Sequence, residues 1–356
     1  MKVIVKKGVL ESIVSYTNPY LEKKDLSSIT SHILISAMDG VLSIKATDHE
    51  IGLSYKNRNV TVIDEGYATA NGSKLMNAIK GLEDDEITLE TAGNSLFVKQ
   101  KRSKYKLPMY NYTDFPEFPT IENKNRFEIN SIILGRSLKK IFPSIDTNNP
   151  KYELNGALID IKEKQINLVS TDTKRLSLYT IPNQTSTANE KIIIPKKAIN
   201  EIQKLFSDKV EIFYDANVFL AVSESFEFFS KLINGKFPMY DKLIDTVYSQ
   251  SVMLPRDKMV EGIKAINSMC DSMKITIKNN SILFESISED NSEAKTEIET
   301  SIQIENQIEF SIRNKFLMDF LSNIEENSFK FDFNNEKTAF CVSSGDLKTI
   351  IMPIIA

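Results

Sequence analysis

The sequence predicts an α+β fold of three tandem, similar domains, each with antiparallel strands on one side and two helices on the other. Three observations predict it: a helix-then-hairpin cassette that occurs three times, a second hairpin cassette that precedes it each time, and a spacing of roughly 120 residues between copies. In every copy the apolar period changes from helical to alternating at the same place, which is the signature of a helix followed by strands. A period this long describes whole domains, because solenoid units are about 20 to 50 residues.

The elements follow in order. Residues 1–7 alternate as a first strand. Val9, Leu10, Ile13 and Val14 open the first domain at helical spacing. Ile132, Ile133, Leu138 and Ile141 open the second, and Met259, Val260, Ile263 and Ile266 the third. A hairpin comes next in each domain: 33–35 to 42–44 through Asp39-Gly40, 158–161 to 166–169 through a Lys-Glu-Lys turn, and 275–277 to 282–284 through Asn279-Asn280. The second helices, 74–80, 197–202 and 315–321, each lead into another hairpin, turning at 92–94, 215–217 and 334–336. Antiparallel sheets with helices on one face bury both patterns. The segments Phe115-Pro116-Glu117-Phe118-Pro119 and Phe237-Pro238-Met239-Tyr240 interrupt strand pairing and anchor aromatics. They end the first two domains, giving 1–124, 125–246 and 247–356. The stretch 288–296, rich in Ser, Glu, Asp and Asn, reads as a polar hairpin tip inside the third.

The chain has 356 residues, 41% hydrophobic and 26% charged, a globular composition with no apolar run of the roughly 18 residues that a membrane helix needs. Its opening lacks the apolar core of a signal peptide, so a cytoplasmic address and no membrane partner are expected. Cys270 and Cys341 are too few for a disulfide framework and read as reduced thiols. His32 and His49 are the only histidines, and no Gly-rich phosphate loop occurs. No catalytic constellation, metal site or cofactor follows. Asp48, Glu50 and Asp172 could be imagined as the carboxylates of a metal-dependent hydrolase. The better reading of Thr47-Asp48 and Thr171-Asp172 is structural, a strand end closed by side-chain to backbone hydrogen bonds. A string of tandem structural or adhesion domains is the other rival.

The net charge is −4, yet Lys74, Lys80, Arg136, Lys139, Lys140, Lys196, Lys197, Lys204, Lys258 and Lys264 all fall on the recurring helices. A basic helix surface in an acidic protein suits a phosphate backbone and is blind to sequence.

At this point the chain resembles the bacterial DNA polymerase III beta subunit, the sliding clamp. The resemblance rests on ordered motifs along its whole length: the Met-Lys-Val start, Ala46-Thr47-Asp48-His49-Glu50-Ile51-Gly52-Leu53, Phe115-Pro116-Glu117-Phe118, Tyr152-Glu153-Leu154-Asn155-Gly156, Thr171-Asp172-Thr173-Lys174-Arg175-Leu176, Ile192-Ile193-Ile194-Pro195-Lys196-Lys197, Gly235-Lys236-Phe237-Pro238-Met239-Tyr240 and Ile350-Ile351-Met352-Pro353-Ile354. It implies a non-catalytic processivity factor with the DNA clamp fold, a head-to-tail homodimeric ring with helices inside and sheets outside. Such a ring encircles duplex DNA without regard to sequence. It further implies partners that bind through short peptides: the polymerase alpha subunit, the clamp loader delta subunit and repair proteins. Matched by position, the peptide pocket falls to Leu154, Thr171, Thr173, Lys174, Leu176, Pro238, Lys242, Leu243, Arg313, Phe316, Ile350, Met352 and Pro353. DNA contact falls to Lys24, Asn148, Lys151, Tyr152 and Lys197, and the dimer contact to Tyr105 and Leu107 against Ile266 and Met269. Thr173-Lys174 stands where many members have Gly-His, and the chain ends Ile355-Ala356 where Arg-Leu is frequent, so the pocket rim is expected to be bulkier and more cationic.

Overall fold

The structure, a computed structural model, describes residues 1–25, 27–183, 189–207, 209–287, 293–304 and 306–355. The sequence-level features at 288–292 and at residue 356 lie outside them. The chain forms two compact units, one of residues 1–131 with 208–232 and the other of 132–207 with 233–356.

In the first unit, a five-stranded sheet runs in the order Thr61–Asp64, Lys2–Lys6, Glu86–Ala92, Ser95–Gln100, Ser103–Pro108. An eight-stranded sheet runs Asn125–Phe127, Glu211–Tyr214, Val218–Val222, Phe226–Lys231, Ile51–Asn57, Val41–Thr47, His32–Met38, Gly66–Asn71. Helix α1 (Lys7–Thr17) buries Leu10, Ile13 and Val14 and packs on the strands Val41–Thr47 and Ile51–Asn57. Helix α2 (Gly72–Lys80) lies against α1; Asn71 caps it by accepting a bond from the Lys74 amide, 3.1 Å.

The second unit repeats the plan. Helices α3 (Ser131–Ile141) and α4 (Lys196–Leu205) accompany an eight-stranded sheet ordered Glu190–Pro195, Gly156–Ile161, Gln165–Thr171, Arg175–Pro182, Leu347–Ile351, Phe340–Ser344, Ser328–Phe333, Gln250–Pro255. The one-turn helix α5 (Asp241–Ile244) follows the second Phe-Pro segment. Helix α6 (Arg256–Ile266) packs on α7 (Asn314–Leu321) and on a four-stranded sheet ordered Lys295–Glu299, Ser281–Ile287, Ser272–Lys278, Ile308–Arg313. The pairing of Ser281–Ile287 with Lys295–Glu299 makes a hairpin around the polar stretch, although Lys295 and Thr296 are strand rather than loop.

The ladders among the described residues are antiparallel; strands such as His32–Met38 alternate in burial, whereas Gly156–Ile161 and Gln165–Thr171 are buried on both faces. Both eight-stranded sheets cross the sequence-level domain boundaries. Phe226–Lys231, from the middle of the chain, pairs with Ile51–Asn57, and Arg175–Pro182 pairs with Leu347–Ile351.

Candidate functional site

The recurring Thr-Asp sequence builds the same turn twice. Thr171 Oγ1 donates to the Arg175 carbonyl at 2.6 Å and accepts from the Thr173 amide, while Asp172 Oδ1 accepts from the amides of Lys174 and Arg175 at 3.1 and 2.9 Å. Thr47 and Asp48 make the matching bonds with Ile51, His49 and Glu50. Each turn needs one residue with positive φ, His49 at 71° and Thr173 at 70°. These carboxylates are thus committed to backbone amides.

In the second unit this turn borders a buried apolar cluster with an exposed rim. Leu176 lies opposite Ile350 in the ladder, and the Met352 amide donates to the Lys174 carbonyl at 2.9 Å, which brings 171–176 and 350–353 side by side. Leu154 and Leu176 share one buried cluster with Leu158, Leu178, Phe237 and Tyr240, against which Ile244 packs. Over this floor the rim stands open: Leu243 is 46% and Met352 48% exposed, and Pro238, Lys242, Thr173, Lys174 and Arg313 are also exposed. Thr171, Ile350, Phe316 and Pro353 are buried beneath.

Two polar devices hold this region. Tyr240, 2% exposed, donates to Asp160 Oδ2 at 2.6 Å and accepts from Asn167 Nδ2 at 2.9 Å. Burial and the neighbouring Asp160 carboxylate push its phenol well above the ordinary range. Lys162 stands 5.3 Å from the Tyr240 ring centroid and donates to Asp241 at 2.7 Å; burial alone would lower its pKa, but Asp241 and Tyr240 together raise it. The segment carrying Pro238, Lys242 and Leu243 is thereby fastened to the sheet.

The second device is Arg175, to which the sequence comparison gave no role. Its side chain is only 3% exposed. It donates to Asp172 at 2.9 Å, to Asp319 at 2.7 Å and to the Pro143 carbonyl, and its guanidinium lies 4.5 Å from the Phe316 ring centroid. Arg313 approaches the same ring at 5.9 Å. Arg175 therefore joins the turn to the helix that carries Phe316. The sequence signal was an Asp-x-x-Arg spacing next to the repeated Thr-Asp, with isoleucine at the matching place in the first copy.

Asn148, Lys151 and Tyr152 lie on one exposed loop, with Tyr152 62% exposed and Asn148 at φ 62°. Asn149 and Asn155 brace it, the Asn149 amide donating to Asn155 Oδ1 at 2.7 Å and Asn155 Nδ2 returning to the Asn149 carbonyl at 3.0 Å. Lys197 is exposed on α4. Lys24 is exposed in the first unit, its amide bonded to Glu22 at 2.6 Å. Lys196, one of the lysines on the recurring helices, is engaged within the chain. It turns back to donate to the Ile145 carbonyl and Thr147 Oγ1, both at 2.7 Å, and burial lowers its pKa, so it pins the loop. Lys204 and Lys258 pair with Glu201 and Glu261 at 2.7 and 3.1 Å.

Tyr105 and Met269 are 36% and 49% exposed, but Leu107 is 8% and Ile266 1% exposed. Ile266 belongs to the buried stripe of α6 with Met259 and Ile263. Among the described residues no group of three or more His, Cys, Asp or Glu side chains could hold a metal ion, and no helix is long and apolar enough to cross a membrane. Cys341 is buried, and burial followed by Asp332 pushes its thiol up to about 11.

The profile described as DNA polymerase III beta subunit, N-terminal domain, matches residues 1–119, and that of the central domain matches residues 128–239. A beta sliding clamp of Helicobacter pylori is 38% identical over 297 residues, covering 82% of this chain and 79% of the relative. One from Buchnera aphidicola is 25% identical over 354 residues, covering 97% and 96%. The crystal structure of the Helicobacter pylori beta clamp bound to a DNA ligase peptide superposes with a TM-score of 0.94 at 35% identity, covering all of both chains. Tandem antiparallel sheets accompanied by paired helices, superposing on a solved beta clamp, define the class as a DNA sliding clamp. The chain belongs to the beta sliding clamp family, the beta subunit of bacterial DNA polymerase III.

Proposed function

We propose that two copies of this chain close head to tail into a ring around duplex DNA, and that the cleft over Leu154 and Leu176 takes the linear peptides of its partners. Residues 1–124, 125–246 and 247–356 act as its three domains, a reading supported by the repeated Thr-Asp turn and by the two matched profiles. The observation that carries the peptide site is an apolar floor with an exposed Leu243 and Met352 rim, held by Arg175 and Tyr240. Such a surface suits an extended peptide, since thioether chains repack readily and one floor serves several partners. The Helicobacter pylori clamp bound to a DNA ligase peptide supports this mode for a similar chain. The replicative polymerase alpha subunit and the clamp loader delta subunit are the partners it would serve in the cytoplasm.

The chain acts as a tether rather than as an enzyme. A ring holds DNA by topology, so loose contacts from Lys24, Asn148, Lys151, Tyr152 and Lys197 suffice and sliding stays fast. A polymerase bound at the cleft rebinds its template intramolecularly at high effective concentration. The test is retention on circular DNA after loading with a clamp loader and ATP. Retention in high salt that disappears when the circle is cut is expected; loss from both forms in high salt would reduce the binding to simple electrostatics.

A further inference from the structure

The two Thr-Asp turns share a framework but carry opposite charge at matching places. Gly52 lies opposite Phe229 as Leu176 lies opposite Ile350, so the ladders align Glu227 with Lys348 and the turns align Glu50 with Lys174. Glu227 is spent on Lys56, at 2.6 Å. Lys174 and Lys348 are exposed and form no ion pair among the described residues. Lys348 lies opposite Leu178 and therefore projects from the same side of the sheet as Leu176, Leu178 and Ile350. Two further exposed cations, also without an ion pair among the described residues, complete the rim. Lys242 stands on α5 between Tyr240 and Ile244, which belong to or pack against the buried cluster. Arg313 follows Ser311, whose carbonyl accepts from the Ile354 amide at 2.6 Å, as the Lys174 carbonyl accepts from Met352 at 2.9 Å, so Lys174 and Arg313 stand at the two ends of the segment 352–354. Of the carboxylates on the turn, α5 and α7, Asp172 and Asp319 are held by Arg175 and Asp241 by Lys162, which leaves Asp245 at the end of α5. Four free cations thus border an apolar floor in a chain whose net charge is −4.

We propose that this rim makes the peptide site selective for acidic segments: a partner's apolar side chains sit over Leu176 and Ile350, and carboxylates flanking them pair with Lys174, Lys242, Arg313 and Lys348. The inference rests on the peptide-site reading above and names the class of peptide that the site takes. The fold does not need these charges. The first copy builds the same turn and the same ladder with Glu50 and Glu227 in place of Lys174 and Lys348, so the sign at these positions is free to follow the ligand. An exposed ion pair changes affinity about 1.5- to fivefold, and two or three formed together reach roughly tenfold. A rim of one sign also speeds the encounter with a segment of the other sign and turns away a segment of its own.

The experiment titrates the full-length chain with three synthetic peptides, followed by fluorescence anisotropy. Each carries the apolar residues of the DNA ligase peptide bound by the Helicobacter pylori clamp, flanked by two aspartates, two asparagines or two lysines. At about 0.1 M salt the aspartate peptide should bind about tenfold tighter than the asparagine peptide, and the lysine peptide more weakly than either. The gap should close near 1 M salt, where the screening length falls from about 10 to about 3 Å. Lys174→Glu with Lys348→Glu, the residue type of the first copy at both places, should lower the ratio of aspartate to asparagine affinity to one or less. Should that chain fail to fold, Lys174→Gln with Lys348→Gln should lower the ratio about threefold. Equal affinities of the wild-type chain for the three peptides, or a ratio that the charge changes do not move, overturns the proposal. The neutral changes Leu243→Ser and Met352→Ser separate the two readings. They should weaken all three peptides together; binding that survives them in full places the peptides elsewhere and overturns the peptide-site reading and this inference with it.

Discussion

Replacing Arg175 by methionine keeps most of the side-chain volume and removes the charge that joins the Thr-Asp turn to α7. The buried guanidinium serves two carboxylates, one carbonyl and the Phe316 ring. Removing one partner from a buried ion pair costs about 3–5 kcal/mol. Asp172 and Asp319 are 19% and 25% exposed, so water relieves part of their isolation. Losing the stack on Phe316 adds roughly 0.5–1 kcal/mol. The sum is about 3 kcal/mol, which lowers the melting temperature of a unit of this size by roughly 6–12 °C. Scanning calorimetry measures that shift. Peptide affinity should fall at least about tenfold, since the turn carrying Thr173 and Lys174 loses its tie to Phe316; a tenfold change needs only 1.4 kcal/mol. Arg175→Lys should fall between, because an ammonium cannot reproduce the planar fork. An Arg175→Met chain that melts within a degree or two of wild type and binds peptide equally well would refute the reasoning.

Burial, aided by Lys74, lowers the His32 pKa from 6.5 to about 4. Its folded pKa is depressed, so the unfolded chain binds more protons between those values. The contribution of about 3 kcal/mol is present above pH 6.5 and lost as pH falls to 4; His32→Gln should flatten that part of the stability profile in urea titrations. Tyr240→Phe leaves the Asp160 carboxylate, 2% exposed, without its phenol donor. It should cost about 1–3 kcal/mol in chemical denaturation and weaken peptide binding by loosening Leu243. Lys197→Ala should reduce the salt dependence of DNA affinity by close to one phosphate contact, whereas Lys196→Ala should instead increase proteolytic cleavage at 145–152, because its ammonium pins that loop. A salt slope unchanged in Lys197→Ala would remove that residue from the DNA surface.

The local elements were legible because each rests on a local signal. The change of apolar period located the six long helices of the described residues and the hairpins of both cassettes, and the repeated Thr-Asp pointed to the turns. Partner choice between distant strands was not legible. Nothing in the alternation of 226–231 says that it pairs with 51–57, since a strand presents the same backbone groups to any edge. Side-chain direction was the other hidden quantity. Lys196 and Lys197 are adjacent in sequence, yet one folds back on the loop and the other is exposed. Ile266, expected at a dimer contact, lies in the buried stripe of α6 within the single chain.

The two Thr-Asp turns show how a duplicated framework allows divergence at its edge. The bonds that shape each turn run from threonine and aspartate to backbone groups, so they constrain the side chains at the last two positions very little. In the second copy those positions are Arg175 and Leu176, which recruit α7 and complete an apolar floor. In the first they are Ile51 and Gly52, and the missing side chain admits the Phe229 ring. The residue at the last position therefore changes what packs beside the turn without disturbing turn or ladder. Restoring a side chain at Gly52 should expel a ring from a packed position, so Gly52→Leu is expected to destabilise the first unit by about 1–3 kcal/mol of overpacking rather than rebuild a cleft. A Gly52→Leu chain as stable as wild type, by chemical denaturation, would mean that the Phe229 and Phe118 rings yield easily.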